Sequence, residues 1–177
     1  MLLLLVSVAA LLRLASSQAA PSTLLVYYSD THQDNVVLVE ASAKALDATY
    51  KYYGDDLFVQ SDAPGPTLAP LNLYFNAQTN HHMTTASEVG NAWAQANSYT
   101  LVAVQGFVYL SAAAAGPGAQ GLEMWYSATR GDHFLVGTAQ NRAGAKDAGY
   151  VLQYVDCCEF GGFYARLVPT FLQISKP

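Results

Sequence analysis

Basic charge is scarce in this chain: eight Lys and Arg stand against thirteen Asp and Glu, and no two basic residues are adjacent. Nucleic acid and anionic membrane surfaces are held by clustered Lys and Arg that displace counterions, so both are excluded as partners. Cysteine is equally sparse, with Cys157 and Cys158 alone and side by side. Beyond residue 20 no apolar run approaches the ~20 residues that cross a hydrocarbon core, so no membrane insertion is expected there. Missing too are Gly-x-Ser-x-Gly, His-Glu-x-x-His and a phosphate loop, and the acids are scattered singly rather than paired as glycoside hydrolysis requires. No catalytic residue and no cofactor is therefore assigned. Asn97-Ser98 is followed by Tyr99, and the chain carries no Asn-x-Ser/Thr glycosylation sequon.

What is present begins with a leader. Residues 1–14 are apolar apart from Ser7 and Arg13, and residues 15–20 turn small and polar. Such a short run ending in small residues reads as a secretory signal peptide over 1–19, with cleavage near 18–20. It places the protein outside the cell and leaves 20–177 as one domain, a length that supports a single sizeable core.

A repeat organises that domain. Take Tyr28, Phe75 and Tyr126 as marks: seven residues on stand Asn35, His82 and His133, preceded by Asp34, His81 and Asp132 and followed by Val36, Met83 and Phe134. An aromatic recurs 24 or 25 residues beyond each mark, as Tyr53, Tyr99 and Tyr150. Three features in register define units over 24–70, 71–121 and 122–177, with linker-like composition at 61–66 and 112–121.

The third copy, Trp125-Tyr126-Ser127-Ala128-Thr129-Arg130-Gly131-Asp132-His133-Phe134, resembles an extracellular repeat family of unknown function whose units carry Tyr-Tyr-Asn-x-x-x-Gly-Asp-His-Phe-Tyr-Thr-Thr. The second copy follows that pattern through Tyr74-Phe75-Asn76 and His82-Met83-Thr84-Thr85. The first departs from it, with Gln33-Asp34-Asn35-Val36 in place of Gly-Asp-His-Phe. The resemblance implies a surface-binding module of the kind found beside secreted hydrolases.

Local chemistry gives each unit the same elements. Residues 71–75 are strand formers, 76–80 supply turn formers with Asn80 and Gly131 suited to positive φ, and a second strand runs through the His. Thr85 or Ser87 caps a helix to about residue 97, with Glu88 in its first turn, and helices over 41–50 and 139–148 match it. A strand or bent pair over 99–110 follows, turning at Gly106. The expected fold is α+β, one compact domain of three strand-turn-strand-helix-strand repeats about a pseudo-threefold axis, with 168–172 completing the first sheet. The alternative is an all-β closure, β-trefoil-like or propeller-like.

The recurring polar turn is the candidate ligand site. Asp34, Asn35, His81, His82, Asp132 and His133 offer hydrogen bonds to hydroxyls, and Tyr27, Tyr74 and Trp125 offer rings on which a sugar's C–H face stacks. The expected partner is an extracellular glycan such as cell-wall polysaccharide, bound at up to three weak sites whose avidity adds. A competing reading has Asp132 capping its own turn and His133 half-buried, so that the turns only hold the fold together. A secreted hydrolase of unfamiliar design is the third alternative. Neighbouring residues on a strand face opposite ways, so His81 and His82 do not share a metal ion, and no metal site is assigned. Cys157 and Cys158 form a strained vicinal disulfide, stay as buried free thiols, or pair between molecules.

Overall fold

The structure is a computed structural model that describes residues 20–60, 65–117, 119–155 and 164–166. The leader over 1–19, the Cys157–Cys158 pair and the segment 168–172 lie outside the described residues.

Three antiparallel sheets of three strands each carry the fold. In the first, β1 (Ser22–Ser29) runs between β2 (Asp34–Val39) and β3 (Tyr50–Val59). In the second, β4 (Leu68–Asn76) runs between β5 (His81–Thr85) and β6 (Thr100–Tyr109). After the short β7 (Ala119–Gly121), the third sheet sets β8 (Glu123–Ser127) between β9 (Asp132–Val136) and β10 (Val151–Val155). A last strand, β11 (Tyr164–Arg166), pairs with β3, β6 and β7 and so fastens the first two sheets together. Gln60 and Phe107 add a direct backbone link, with N···O distances of 2.9 and 2.8 Å.

Each hairpin turn has a stated cause. Gln33, Asn80 and Gly131 take φ of 57°, 60° and 71°, the left-handed conformation that the turn before the second strand demands. Asn76 Oδ1 accepts from the Gln78 and Thr79 backbone, and Ser29 Oγ accepts from the His32 backbone, so the first residue of each turn holds it closed. Asn80 and Gly131 were legible as turn formers, whereas Gln33 reaches positive φ without the usual residue type.

Four helices lie among the described residues: α1 (Glu40–Ala43), α2 (Glu88–Ala96), α3 (Ala112–Ala115) and α4 (Ala139–Asp147). Ser87 Oγ accepts from Gly90 N and Thr138 Oγ1 from Asn141 N, satisfying donors that the first turns of α2 and α4 leave free. The expected helix over 41–50 shrinks to the four residues of α1. From Asn35 to Tyr50 the chain has two residues fewer than from His82 to Tyr99 or His133 to Tyr150. The helix stops at Ala43, and Asp47 then forms an Asx turn, accepting from Thr49 N at 2.8 Å, that leads into β3. Residues 112–121, linker-like in composition, instead hold α3 and β7.

The domain is thus mixed α and β, mostly strand, and the all-β alternative fails: two nine-residue helices are present, and the strands close no barrel among the described residues. At its centre β2, β5 and β9, each the outermost strand of its own sheet, pack against one another. Val37, Met83, Leu135 and Val136 from these strands are buried in the main core with Leu24, Leu57, Leu71, Leu122 and Met124.

Tight packing at one junction yields a prediction. A Cβ on Gly137 would lie 2.1 Å from Leu57 Cδ1, and Leu57 is wholly buried with nowhere to retreat. Gly137→Ala should therefore destabilise the protein by about 1–3 kcal/mol through overpacking. Urea unfolding followed by circular dichroism measures this, and an unchanged midpoint would show that the junction yields freely.

Candidate functional site

The second strands carry the polar residues of the recurring turn. Across the three hairpins Tyr28 pairs with Asn35, Phe75 with His82 and Tyr126 with His133, and one step outward Ser29 pairs with Asp34, Asn76 with His81 and Ser127 with Asp132. Because β2, β5 and β9 are edge strands meeting at the centre, some of their backbone N–H groups have no ladder partner and need another acceptor.

Carboxylates from neighbouring sheets supply it. Asp34, wholly buried, accepts from His82 N at 3.0 Å, from His82 Nδ1 at 2.7 Å and from the Tyr50 hydroxyl at 2.5 Å. Asp132, equally buried, accepts from Asn35 N at 3.0 Å and Asn35 Nδ2 at 3.1 Å through Oδ2, which also takes a short bond from the Tyr150 hydroxyl. In the second sheet His81 takes this place. Its Nδ1 faces Gly131 O at 3.0 Å and its Nε2 faces His32 O at 3.1 Å, so one ring bridges the turns of the first and third sheets. Carbonyl oxygens only accept, and both bonds form together when each ring nitrogen carries a proton.

Tyr50 thus stands on Asp34 as Tyr150 stands on Asp132. The spacing rule pointed instead to Tyr53, which is 76 % exposed and makes no such contact. With two residues fewer between Asn35 and this aromatic than between His133 and Tyr150, the carboxylate-bound ring falls at position 50.

These surroundings set the protonation of the cluster. Burial, and after it the charge of Asp34, hold the Asp132 carboxyl well above the ordinary carboxylate range. Burial, and after it His81, push His133 down to about 4. The His133 ring lies between Trp93 at 4.3 Å and Tyr126 at 4.6 Å, and its Nδ1 has no hydrogen-bond partner, as suits a neutral imidazole.

The nine candidate residues divide between two places. Asp34, Asn35, His81, His82, Asp132 and His133 come together at the centre, where most are engaged by neighbouring sheets. The three proposed stacking rings do not line an open face there. Tyr74 and Trp125 are buried, with their polar tips bonded to Asn91 Oδ1 and Glu123 Oε2, and Tyr27 sits edge-on to Tyr52 at 5.7 Å. The aromatics on the same face as Asn35, His82 and His133 are the next residues along: Tyr28, Phe75 and Tyr126. Successive strand residues face opposite ways, so a one-residue choice decides the face. The cross-strand pairing implied by a seven-residue hairpin spacing was the available signal.

Open space lies beside the cluster. A groove of about 500 Å³ runs between the first and third sheets, with the rings of Tyr28, Tyr53, Phe134 and Tyr150 on its walls and the amides of Asn35, Gln140 and Asn141 among them. Gly144 and Ala148, the cations Lys51 and Arg130 and the carboxylate Asp30 complete the lining. A second groove, of about 350 Å³, lies between the first and second sheets and is more apolar, with Phe75, His82, Tyr50, Leu46 and Val102. Sequence reasoning missed both, because their walls come from different units. It also missed Asp56 of β3, which reaches α4: its carboxylate accepts from Gly137 N at 3.0 Å, Thr138 N at 3.0 Å and Asn141 Nδ2 at 2.9 Å. Among the described residues no group of three His, Cys, Asp or Glu is arranged to hold a metal ion, and no helix is long and apolar enough to cross a membrane.

Two predictions follow from the cluster. Asp132→Ala leaves the Asn35 and Tyr150 donors without their buried acceptor and should cost about 1–3 kcal/mol, lowering the melting temperature by several degrees in a thermal scan. An unchanged melting temperature would mean that the carboxyl does not fasten the sheets. His133 is neutral in the fold but takes a proton near pH 6.5 when unfolded, so its contribution is present above about pH 6.5 and lost as pH falls from there toward about 4. Asp132 acts oppositely, its raised value giving stability that is present at low pH and lost as pH rises through it. In His133→Gln the fall in melting temperature between pH 7 and 4.5 should be smaller than in the parent, and identical slopes would exclude His133 from the acid response.

No protein-family model matches the chain, and neither a curated protein nor a solved structure matches it.

Proposed function

We propose that the protein is a secreted, non-catalytic carbohydrate-binding module whose ligand lies in the groove between the first and third sheets. The observation that carries this reading is the lining of that groove: the accessible rings of Tyr28 and Tyr53, backed by the buried Phe134 and Tyr150, lie beside three amide side chains in about 500 Å³. Pyranose rings combine apolar C–H faces with hydroxyls that donate and accept, which suits aromatic walls carrying Asn and Gln. Tyr53, the most exposed of the large apolar residues, has its ring free to stack on an incoming sugar. The turn carboxylates, by contrast, are committed to neighbouring sheets, which favours a structural role for the turn and moves the binding surface to the adjacent groove.

In this reading the three sheets are copies of one unit about a pseudo-threefold axis, and the junctions between them are equivalent positions. The offset of 51 residues that relates Phe75, His82 and Tyr99 to Tyr126, His133 and Tyr150 also relates Trp93 to Gly144. Trp93 packs on His133 at the junction of the second and third sheets, filling the place that stays open at Gly144. Two of three equivalent junctions are then available to ligand, one polar and one largely apolar.

Gly144→Trp tests the site directly. A Cβ at Gly144 meets nothing within 4 Å, and replacing a helix-interior Gly does not disfavour α4, so the variant should fold. Oligosaccharides selected on a glycan array with the parent protein should bind the variant at least tenfold more weakly by titration calorimetry. Unchanged binding would place the ligand elsewhere, and an array without hits would overturn the carbohydrate reading.

A further inference from the structure

The polar groove also carries charge that neutral sugar does not require. Arg130 lies in the turn before β9, with its guanidinium carbon 5.7 Å from the Tyr28 ring centre and 5.4 Å from that of Tyr150. It makes no salt bridge to a carboxylate among the described residues. The other cation on the rim, Lys51, is exposed and reaches Asp30 only at 3.8 Å, a separation at which an exposed pair is weak. The chain as a whole carries a formal charge of −5. With Lys51, Arg130 and Asp30 the groove carries a net positive charge on an acidic protein, and its Arg, hydrogen-bonded to Tyr150 and held against two rings, keeps its charge free for an anion.

Resting on the carbohydrate reading above, we infer that this groove selects acidic saccharides, with Arg130 binding the carboxylate of a uronic acid unit while the neighbouring rings take the sugar face. A guanidinium presents donors in a planar fork that matches a carboxylate through two parallel bonds, which a hydroxyl cannot return. Contact with the Tyr28 and Tyr150 rings leaves Arg130 less side-chain freedom to lose on binding. Asp132, two residues along, favours the charged guanidinium from within but forms no ion pair with it, its carboxyl being buried against Asn35 and Tyr150. Lys51 adds attraction across the groove without fixed geometry.

The experiment compares uronic-acid oligosaccharides with the matching neutral hexose oligosaccharides on the same protein by titration calorimetry, at low and at physiological salt. The acidic series should bind about tenfold or more tightly, with the margin narrowing as salt rises. Arg130→Gln should erase that margin, so that the acidic and neutral series bind the variant alike. Lys51→Gln should reduce the margin only in part, which keeps the test valid should Arg130→Gln fold poorly. Equal binding of the two series would overturn the acidic preference and leave the carbohydrate reading intact. Binding of neither would overturn both, and a margin that survives in Arg130→Gln would assign it to another group.

Discussion

The arrangement depends on carboxylates that cross from one sheet to the edge of the next. An edge strand presents backbone N–H and C=O groups that must find partners, and burying three such edges against each other would be prohibitive without acceptors. Asp34 and Asp132 meet that need by accepting the N–H of His82 and Asn35, while a tyrosine hydroxyl occupies the same carboxylate from the side. His81 does the complementary work, its two ring nitrogens directed at carbonyl oxygens of the other two turns. Through these contacts the three sheets gain a fixed relation that apolar packing alone, which has no direction, would not impose.

A polar centre of this kind has electrostatic consequences. Burial, and after it the neighbouring Asp34, hold the Asp132 carboxyl toward its neutral form. His133, wedged between Trp93 and Tyr126, is held neutral by the same loss of water. The cluster therefore stores opposing responses to pH rather than a set of free ligands. What it offers to solvent is its flank, where Asn35 and Tyr150 reach from the centre to the wall of the polar groove.

The same geometry explains why the junctions differ. At two of them a helix position decides whether space remains. Trp93 supplies a bicyclic ring where Gly144 supplies a hydrogen atom, so one junction is packed and the other is open. In the first sheet the shortened α1 leaves Leu46 at the rim of an apolar groove. Groove shape thus differs from one junction to the next, while Asp34, His81 and Asp132 hold the polar centre.

Much of the local structure was readable from residues. Turn formers at Asn80 and Gly131, the cap at Ser87, and the spacing of seven between aromatic and polar partner are local signals, because hairpins and helix ends are settled within a few residues. The sequence by itself determined the strand–turn–strand–helix–strand order and the scarcity of basic charge that makes Arg130 and Lys51 conspicuous. It did not determine which face of each strand turns outward, since Tyr27 and Tyr28 are equally aromatic and only the cross-strand partner separates them. Nor did it reveal Tyr50 over Tyr53, the reach of Asp56 to α4, or a groove whose walls lie about a hundred positions apart in the chain. Those were decided by tertiary structure, because burial, shared protons and concave surface arise only when separate segments exclude water from the same place.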